Sequence, residues 1–532
     1  MSFSSVVLPF LPEVVVLAGA LLVFLLDAVG VRRIEAIGGI ATGSTLVALL
    51  LTFADLHEWP ILESLATVSA SSIDVPAAQQ SLTALFAFTS LGLWFQLIFL
   101  LAAFLVSLAS LSRPTGEKGA SIFFGLLLVA TLGMMLAATA ADLIFLLLAV
   151  EVVGISTYLL VGYTRREARG IEAAMKFYIV GALSTALSFF GASLLFGAYA
   201  GVGPVGSDPL NFVVLGQSVG TVGYPALALV GSAFLIAGVG FKLTAVPFHA
   251  WAVDVYDGAP TDATAFLAGG SKKVGLFAFF LIFLGPVTIH AALAGSSPGA
   301  FDYTPDLQLA LALLAIGTMT VGNVLALFQK EMKRMLAYSS ISQAGYMLIG
   351  IAIGTAPALA GASFQAFAHV FMKVGAFVVV AGVSGLGIGP LIDDWRGLGI
   401  RRPYLGIAFA LMLLSLAGIP LTVGFFSKFV LFSAAVQAQG LFVWLAVAGV
   451  LNSALSVYYY GRVLKVMFMD ASPTPAPESL AVPAPSLAFG LGWGRATAIA
   501  LAAAVIVILG IDPQPVLIGL QTAATHFLAT GA

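Results

Sequence analysis

The feature that most constrains this chain is a succession of apolar segments about 20 residues long, each able to cross the roughly 30 Å hydrocarbon core of a bilayer as a helix. Fourteen can be read, beginning near Val6, Ile34, Leu82, Gly119, Asp142, Glu172, Tyr224, Thr261, Asp306, Met335, Ala358, Tyr404, Gly440 and Ala496. In 532 residues they leave room for short connections and for no sizeable domain outside the membrane. Hydrophobic residues make up 60% of the chain and charged residues 9%, against about 25% charged in a soluble domain. Within lipid every backbone polar group must be paired inside the protein, so only helices or a closed barrel can span. The ten-residue alternating strands of a barrel are not visible, and the expectation is an all-α polytopic membrane protein. The first segment carries no Lys or Arg before Arg32 and exceeds a signal h-region, so it reads as a first span and not a cleaved signal.

The net charge is −2, which offers no basic stretch for nucleic acid. The chain contains no cysteine, which excludes disulfides, thiolate metal sites, iron–sulfur clusters and thiol nucleophiles within it. Redox chemistry inside this chain is not expected.

Basic residues set the orientation, because cytoplasmic loops retain Lys and Arg. Arg32 and Arg33 follow span one, Arg113 and Lys118 span three, and Arg165, Arg166 and Arg169 span five. Lys330, Lys333 and Arg334 follow span nine, Arg396, Arg401 and Arg402 span eleven, and Arg462, Lys465 and Arg495 span thirteen. All 16 fall on the odd-span side and none on the other. Both termini are therefore expected to face away from the cytoplasm.

The six remaining basic residues, Lys176, Lys242, Lys272, Lys273, Lys373 and Lys428, lie within spans, and none is Arg. A buried lysine can load and unload a proton, whereas arginine stays protonated. Snorkelling to the headgroups or a static ion pair is the alternative for any one of them, above all for Lys176 and for one of Lys272 and Lys273. Glu151 sits at the middle of span five, and Lys176 on the next helix is its natural partner. Such a pair can be an adjustable switch or a fixed contact holding two helices in register. Span seven carries Lys242 with Pro247 five residues on, which predicts a broken helix beside the lysine. Span twelve repeats the combination with Pro420 and Lys428, and broken helices at midplane are where transporters place ion sites. His249 lies just beyond the first break, as a structural residue or a relay. His369 and Lys373, four residues apart in span eleven, share one helix face.

Spans four to eight and nine to thirteen each contain five helices, and an odd number inverts a second copy in the membrane. This predicts two inverted five-helix repeats with broken helices seven and twelve. The expected units are residues 1–118 (three helices), 119–286, 306–469, a Pro-rich linker at 470–495 and a lone final helix at 496–532.

LLLAVEVVGISTYLLVGY, EAAMKFYIVGALSTALSFFG, FKLTAVPFHAWAVDVYDGAP, TAFLAGGSKKVG, KRMLAYSSISQAGYMLIG, PLTVGFFSKF and YYYGRVLKVM occur in this order between Gly119 and Met467. In these motifs the chain resembles the antiporter-like proton-pumping subunits of respiratory complex I, of the subunit N type. The resemblance implies that Glu151 and Lys176 form the modulating pair. It makes Lys242 the broken-helix proton carrier, Lys272 the central relay with Lys273 as a second candidate, and Lys428 the distal carrier. His369 and Lys373 are more similar to span eleven of the longer antiporter-like subunits. It also implies no cofactor in this chain, with quinone, FMN and iron–sulfur clusters in partner subunits. The expected partners are other antiporter-like and small membrane subunits, and the expected location is the inner membrane of a prokaryote. A component of a Mrp-type cation/proton antiporter without electron transfer is the alternative. Sodium selectivity calls for several buried carboxylates, and only Glu151 is deep, which favours protons.

Overall fold

The computed structural model describes residues 8–57, 85–113, 119–164, 168–200, 208–218, 223–284, 304–470 and 491–530. Lys118, Arg165, Arg166 and most of the 470–495 linker lie outside these residues.

Spans one to six are α1 (Leu11–Ala28), α2 (Ile34–Leu56), α3 (Ser90–Ser110), α4 (Ala120–Ala138), α5 (Leu143–Gly162) and α6 (Ala168–Tyr199). Span seven is broken into α7 (Pro225–Leu243) and α8 (Ala250–Gly258), and span eight is α9 (Thr261–Leu284). Then follow α10 (Thr304–Leu327), α11 (Met332–Ile353) and α12 (Ala356–Gly385). Span twelve is broken into α13 (Pro403–Ala417) and α14 (Val423–Gln437), followed by α15 (Val443–Phe468), α16 (Trp493–Ile511) and α17 (Gln514–Thr530). Among the described residues, thirteen helices are long and apolar enough to cross a membrane. The two 15-residue halves of span twelve, each too short alone, supply the fourteenth crossing.

Local chemistry explains where these helices begin. The Asp142 carboxylate accepts from the amides of Ile144 (2.8 Å) and Phe145 (3.0 Å) and caps α5. Prolines occupy the first turn of α1, α7, α12 and α13, where no amide is needed. The start read near Leu82 lies outside the described residues; Phe86 forms an antiparallel bridge with Ala140, Ala87 donating to the Thr139 carbonyl and Ala141 to that of Leu85, and Thr89 caps α3 ahead of Ser90.

The final segment is two helices and not one. Asp512 is extended (φ −133°, ψ 97°) ahead of Pro513, which disfavours the helical conformation at 512 and lacks an amide of its own. α17 packs on α3 and α12, with Gly519 against Trp94. At that same end of the bundle Phe10 packs on Phe86 and Phe88, at ring distances of 4.9 and 4.8 Å.

In both five-helix units the first helix pairs with the second, the second packs on the third, the third lies along the broken span, and the fifth closes against it. α9, from Asp262 on, and α12, from Ala358 to Val383, are buried at the junction of the two units. The loop-type basic residues gather at the other end. Arg113 and Arg495 share Asp262 (3.0 and 3.7 Å), and Arg462 donates to the carbonyls of Leu327 (3.2 Å) and Gln329.

Candidate functional site

α7 ends one residue past Lys242, where Thr244 turns into the left-handed region (φ 65°) and Ala245 donates to Gly240 in a C-terminal cap. That region favours glycine, and a β-branched residue held there marks a functional or strained site. Pro247 lies in the break, as the sequence predicts. Span twelve breaks in the same way, with Gly418 (φ 89°), Pro420 and Leu421 (φ 68°) between its halves.

The two broken-span lysines come from opposite sides of their breaks, yet both sit at the carbonyl end of the first half-helix. Lys242 is in the last turn of α7. Lys428, on α14, reaches back across the break and donates to the carbonyls of Leu416 (2.9 Å) and Ala417 (3.0 Å), the last two of α13. These are the orphan carbonyls and the negative dipole end of a helix, where an ammonium group is favoured. Gly418 makes the approach possible, because a Cβ there would lie 3.1 Å from Cδ of Lys428.

Glu151 and Lys242 meet at a cavity of about 20 Å³ lined also by Tyr158, Ser184, Thr185 and Ser188, room for one water molecule. Thr185 donates to Oε2 of Glu151 (2.6 Å), and Nζ of Lys242 lies 5.3 Å from the Tyr158 ring centroid. The expected partner of Glu151 is elsewhere. Lys176 pairs with Glu172 (2.7 Å) one turn back on its own helix and with Asp254 (2.8 Å) on α8. The reason is axial offset. Glu151 is level with Thr185, and nine residues from Thr185 to Lys176 amount to about 13.5 Å of rise.

α9 carries Lys272 and Lys273 between two π-helical stretches, Leu267–Ser271 and Phe280–Leu284. Such stretches loosen the hydrogen-bond ladder and are frequent at functional sites. The adjacent lysines point different ways. Lys272 donates to the Ser340 carbonyl of α11 (3.1 Å), with its Nζ 5.6 Å from the Tyr256 ring centroid. Lys273 donates to the Ala268 carbonyl inside the first π stretch (2.7 Å) and meets Nδ1 of His369 on α12 (2.8 Å). Both lysines and His369 are buried. His249, half-buried at the start of α8, has an Nδ1 with no hydrogen-bond partner.

Lys373, one turn below His369, donates to Ser339 Oγ (2.6 Å) and to the Leu336 carbonyl (2.8 Å). Ser339 bonds Tyr460, whose ring packs on Tyr459. The Tyr459 hydroxyl donates to Asn323 (2.9 Å), Asn323 donates to the Tyr346 hydroxyl (3.2 Å), and Nζ of Lys428 lies 4.6 Å from the Tyr346 ring centroid. A second strand of amides links Gln343, Gln365 and Ser427 beside Lys428. Of the eight sequence-predicted residues, the structure brings Glu151 to Lys242, buries Lys272 against α11, sets His369 beside Lys273, and joins Lys373 to the surroundings of Lys428 through polar side chains, while His249 is half-buried and Lys176 pairs with Glu172 and Asp254. Sequence reasoning did not single out Thr185, Tyr256, Ser339, Ser340, Asn323, Gln343, Tyr346 or Tyr460. The polar run YSSISQAGY in an otherwise apolar span was the signal available for half of them.

Buried lysines set between two broken spans define a class of polytopic membrane proteins with a polar interior. The family described as NADH:quinone oxidoreductase/Mrp antiporter, transmembrane, matches residues 140–456. The chain belongs to this family. It is 38% identical over 467 residues to F(420)H(2) dehydrogenase subunit N of Methanosarcina mazei, covering 86% of this chain and 88% of the relative. It is 42% identical over 382 residues to NADH-quinone oxidoreductase subunit N of Trichlorobacter lovleyi, covering 71% and 74%. Its fold is similar to a chain of respiratory complex I from Thermus thermophilus, with a TM-score of 0.71 and 29% identity over 96% of this chain and 99% of that one. A chain of the Mrp complex from Dietzia sp. shares the fold, with a TM-score of 0.76 and 20% identity over 100% of both chains.

Proposed function

We propose that this chain is the subunit N-type proton-translocating subunit of a complex I-type quinone oxidoreductase. Glu151, Lys242, His249, Lys272, Lys273, His369, Lys373 and Lys428 pass protons while quinone is reduced elsewhere in the assembly, and Lys176 tunes Glu151. The observation that supports this best is the set of buried lysines: Lys242 meets the Glu151 carboxylate, and Lys272, Lys273, Lys373 and Lys428 each lie beside a carbonyl, hydroxyl, imidazole or aromatic face, with no ion pair to an Asp or Glu among the described residues. In this reading Lys272, on the Ser340 carbonyl of α11, and Lys273, beside His369 of α12, both reach the second unit and share the central relay. Residues 119–286 and 306–469 act as the two inverted units.

Quinone, FMN and iron–sulfur clusters belong to partner subunits, and this chain is a non-redox subunit of the translocase. Its partners are further antiporter-like and small membrane subunits, its location is the inner membrane of a prokaryote, and both termini lie on the non-cytoplasmic side. The test is proton uptake by the native complex in proteoliposomes. Lys273→Met and Lys428→Met should each assemble and lose pumping, and pumping at the wild-type proton-to-electron ratio by both would refute the relay. The fold shared with the Mrp complex supports a second reading, a cation/proton antiporter component without electron transfer. Purification with ion-gradient-driven activity and no peripheral redox subunits would select it.

A further inference from the structure

The amides that follow α7 at the break in span seven find their partners in different places. Thr244 and Ala245 donate to the Phe241 (3.0 Å) and Gly240 (2.8 Å) carbonyls of α7 itself. Val246 donates instead to the hydroxyl of Thr318 (3.0 Å), which stands on α10, the first helix of the other five-helix unit. Thr318 is fully buried and commits its own hydroxyl hydrogen to the Leu314 carbonyl (2.6 Å), which leaves a lone pair for Val246. The break in span twelve is closed from within: Gly424 of α14 donates to the Ser415 hydroxyl of α13 (3.1 Å). The first break thus borrows from the other unit the hydroxyl that the second supplies itself.

α10 does not move alone, because two glycines bring its backbone onto that of α11. A Cβ on Gly322 would lie 2.5 Å from the Ser342 amide nitrogen, and one on Gly345 would strike the amide of Met319, the neighbour of Thr318. Backbones packed this closely shift together, since protein interiors transmit strain. α11 in turn supplies the carbonyls that hold two of the buried lysines, Ser340 for Lys272 (3.1 Å) and Leu336 for Lys373 (2.8 Å).

We propose that Thr318 is a positioning residue that fixes the break beside Lys242 according to the place of α11, so that the helix pair holding Lys272 and Lys373 also sets where the end of α7 holds Lys242. The inference rests on the reading that these lysines carry protons. When Lys272 gains or loses a proton its hold on the Ser340 carbonyl changes, and the α10–α11 pair passes that change to Val246 through one hydrogen bond. The linker is suited to respond. Thr244, two residues after Lys242, is held in the left-handed region (φ 65°), and its hydroxyl is buried without a hydrogen-bond partner among the described residues. A conformation of that cost persists only where its surroundings hold it, and the Thr318 hydroxyl is the hold that reaches the linker from the second unit.

Thr318→Val keeps the shape and removes the acceptor, whereas Thr318→Ser keeps the hydroxyl and removes a methyl group. Two measurements on the intact complex in proteoliposomes test the proposal: the proton-to-electron ratio, and amide hydrogen exchange in peptides covering residues 244–249. Thr318→Val should lower the ratio about fivefold, the size of one net hydrogen bond, and speed exchange in the linker. Thr318→Ser should keep both near wild type, which a role in packing alone would not predict. A wild-type ratio in Thr318→Val overturns the inference, and so does a fall in the ratio without faster exchange, because the effect would then bypass the break. A Thr318→Ser complex as impaired as Thr318→Val also overturns it. If Lys242→Ala pumps at the wild-type ratio, the relay reading fails and the inference with it; if Lys242→Ala abolishes pumping and Thr318→Val does not lower it, the inference alone fails. Should Thr318→Val not assemble, Thr318→Ala removes the same acceptor and is read by the same outcomes, and a lowered ratio in Thr318→Ser is by itself enough to overturn the proposal.

Discussion

Glu151 and Lys242 face each other across Gly154: a Cβ built on that glycine would lie 3.3 Å from Oε2 of Glu151 and 3.2 Å from Nζ of Lys242. The two charged ends are therefore neighbours, on α5 and α7, with Thr185 and Tyr158 around them. A carboxylate this close couples electrostatically to the loading and unloading of the lysine. Any change in the compensation of Glu151 is felt directly at Lys242.

This proximity predicts non-additivity. Glu151→Gln keeps the shape and deletes the charge, so it should lower coupled proton uptake nearly as much as Lys242→Ala, on the order of tenfold, which corresponds to a coupling within the usual 1–3 kcal/mol. The double variant should lose little more, because two residues acting as one unit are not removed twice. Normal pumping by an assembled Glu151→Gln complex would reduce Glu151 to a contact that registers two helices.

Lys242→Arg separates a fixed charge from a proton carrier. The guanidinium keeps the positive charge beside Glu151 but does not release its proton at any working pH. Electron transfer should continue at a reduced rate with proton uptake lost. A wild-type proton-to-electron ratio in this variant would show that only the charge matters.

Gly154 tests the geometry without touching a charge. Alanine there must displace the flexible ends of Lys242 or Tyr158 by a few tenths of an ångström, and valine must displace them further. Both variants should assemble. Proton uptake should fall modestly in Gly154→Ala and severely in Gly154→Val, and equal uptake in all three proteins would place the operative contact elsewhere.

The spans were legible because lipid leaves the backbone one helical solution and makes apolar length the dominant signal. Ile34 and Thr261 begin their helices as read from the sequence, and Pro247 and Pro420 mark both breaks. Glu151, Lys242 and Lys428 stood out because a charge in hydrocarbon needs a reason. Partner choice was not legible in the same way. Whether Glu151 meets Lys176 or Lys242 depends on the axial offset of α5 against α6, a packing quantity that no periodicity encodes. The π-helical stretches beside Lys272 were likewise hidden, since small residues such as Gly269 and Gly270 permit them without announcing them. The break at Pro513 was readable from proline chemistry and was overridden by the apolar length of the segment.

Lys428 combines a structural and a functional role that two substitutions separate. It donates to the last two carbonyls of α13, and Gln343 also donates to Leu416 (3.1 Å). Lys428→Met leaves the buried Ala417 carbonyl without that donor, an expected loss of about 1–3 kcal/mol, read as a lower thermal-inactivation temperature of the complex. Lys428→Arg retains a donor, so it should keep most of that stability and still fail to pump. Equal thermal stability for the Met variant and wild type would show that the carbonyl finds another partner.

The remaining prediction concerns which end of the bundle faces the cytoplasm. Arg113, Arg334, Arg462 and Arg495 gather at one end through Asp262, Asp254 and the carbonyls of Leu327 and Gln329. Loop arginines and lysines are retained on the cytoplasmic side, so this end should be cytoplasmic and the opposite end, with Gln437 at the close of α14, should face outward. The chain has no native cysteine, which makes single-cysteine labelling unambiguous. Gln437 and Lys330 are both exposed at opposite ends. Gln437→Cys should react with an impermeant maleimide added to whole cells, and Lys330→Cys should react only in inverted vesicles. The reverse pattern would turn the whole bundle over.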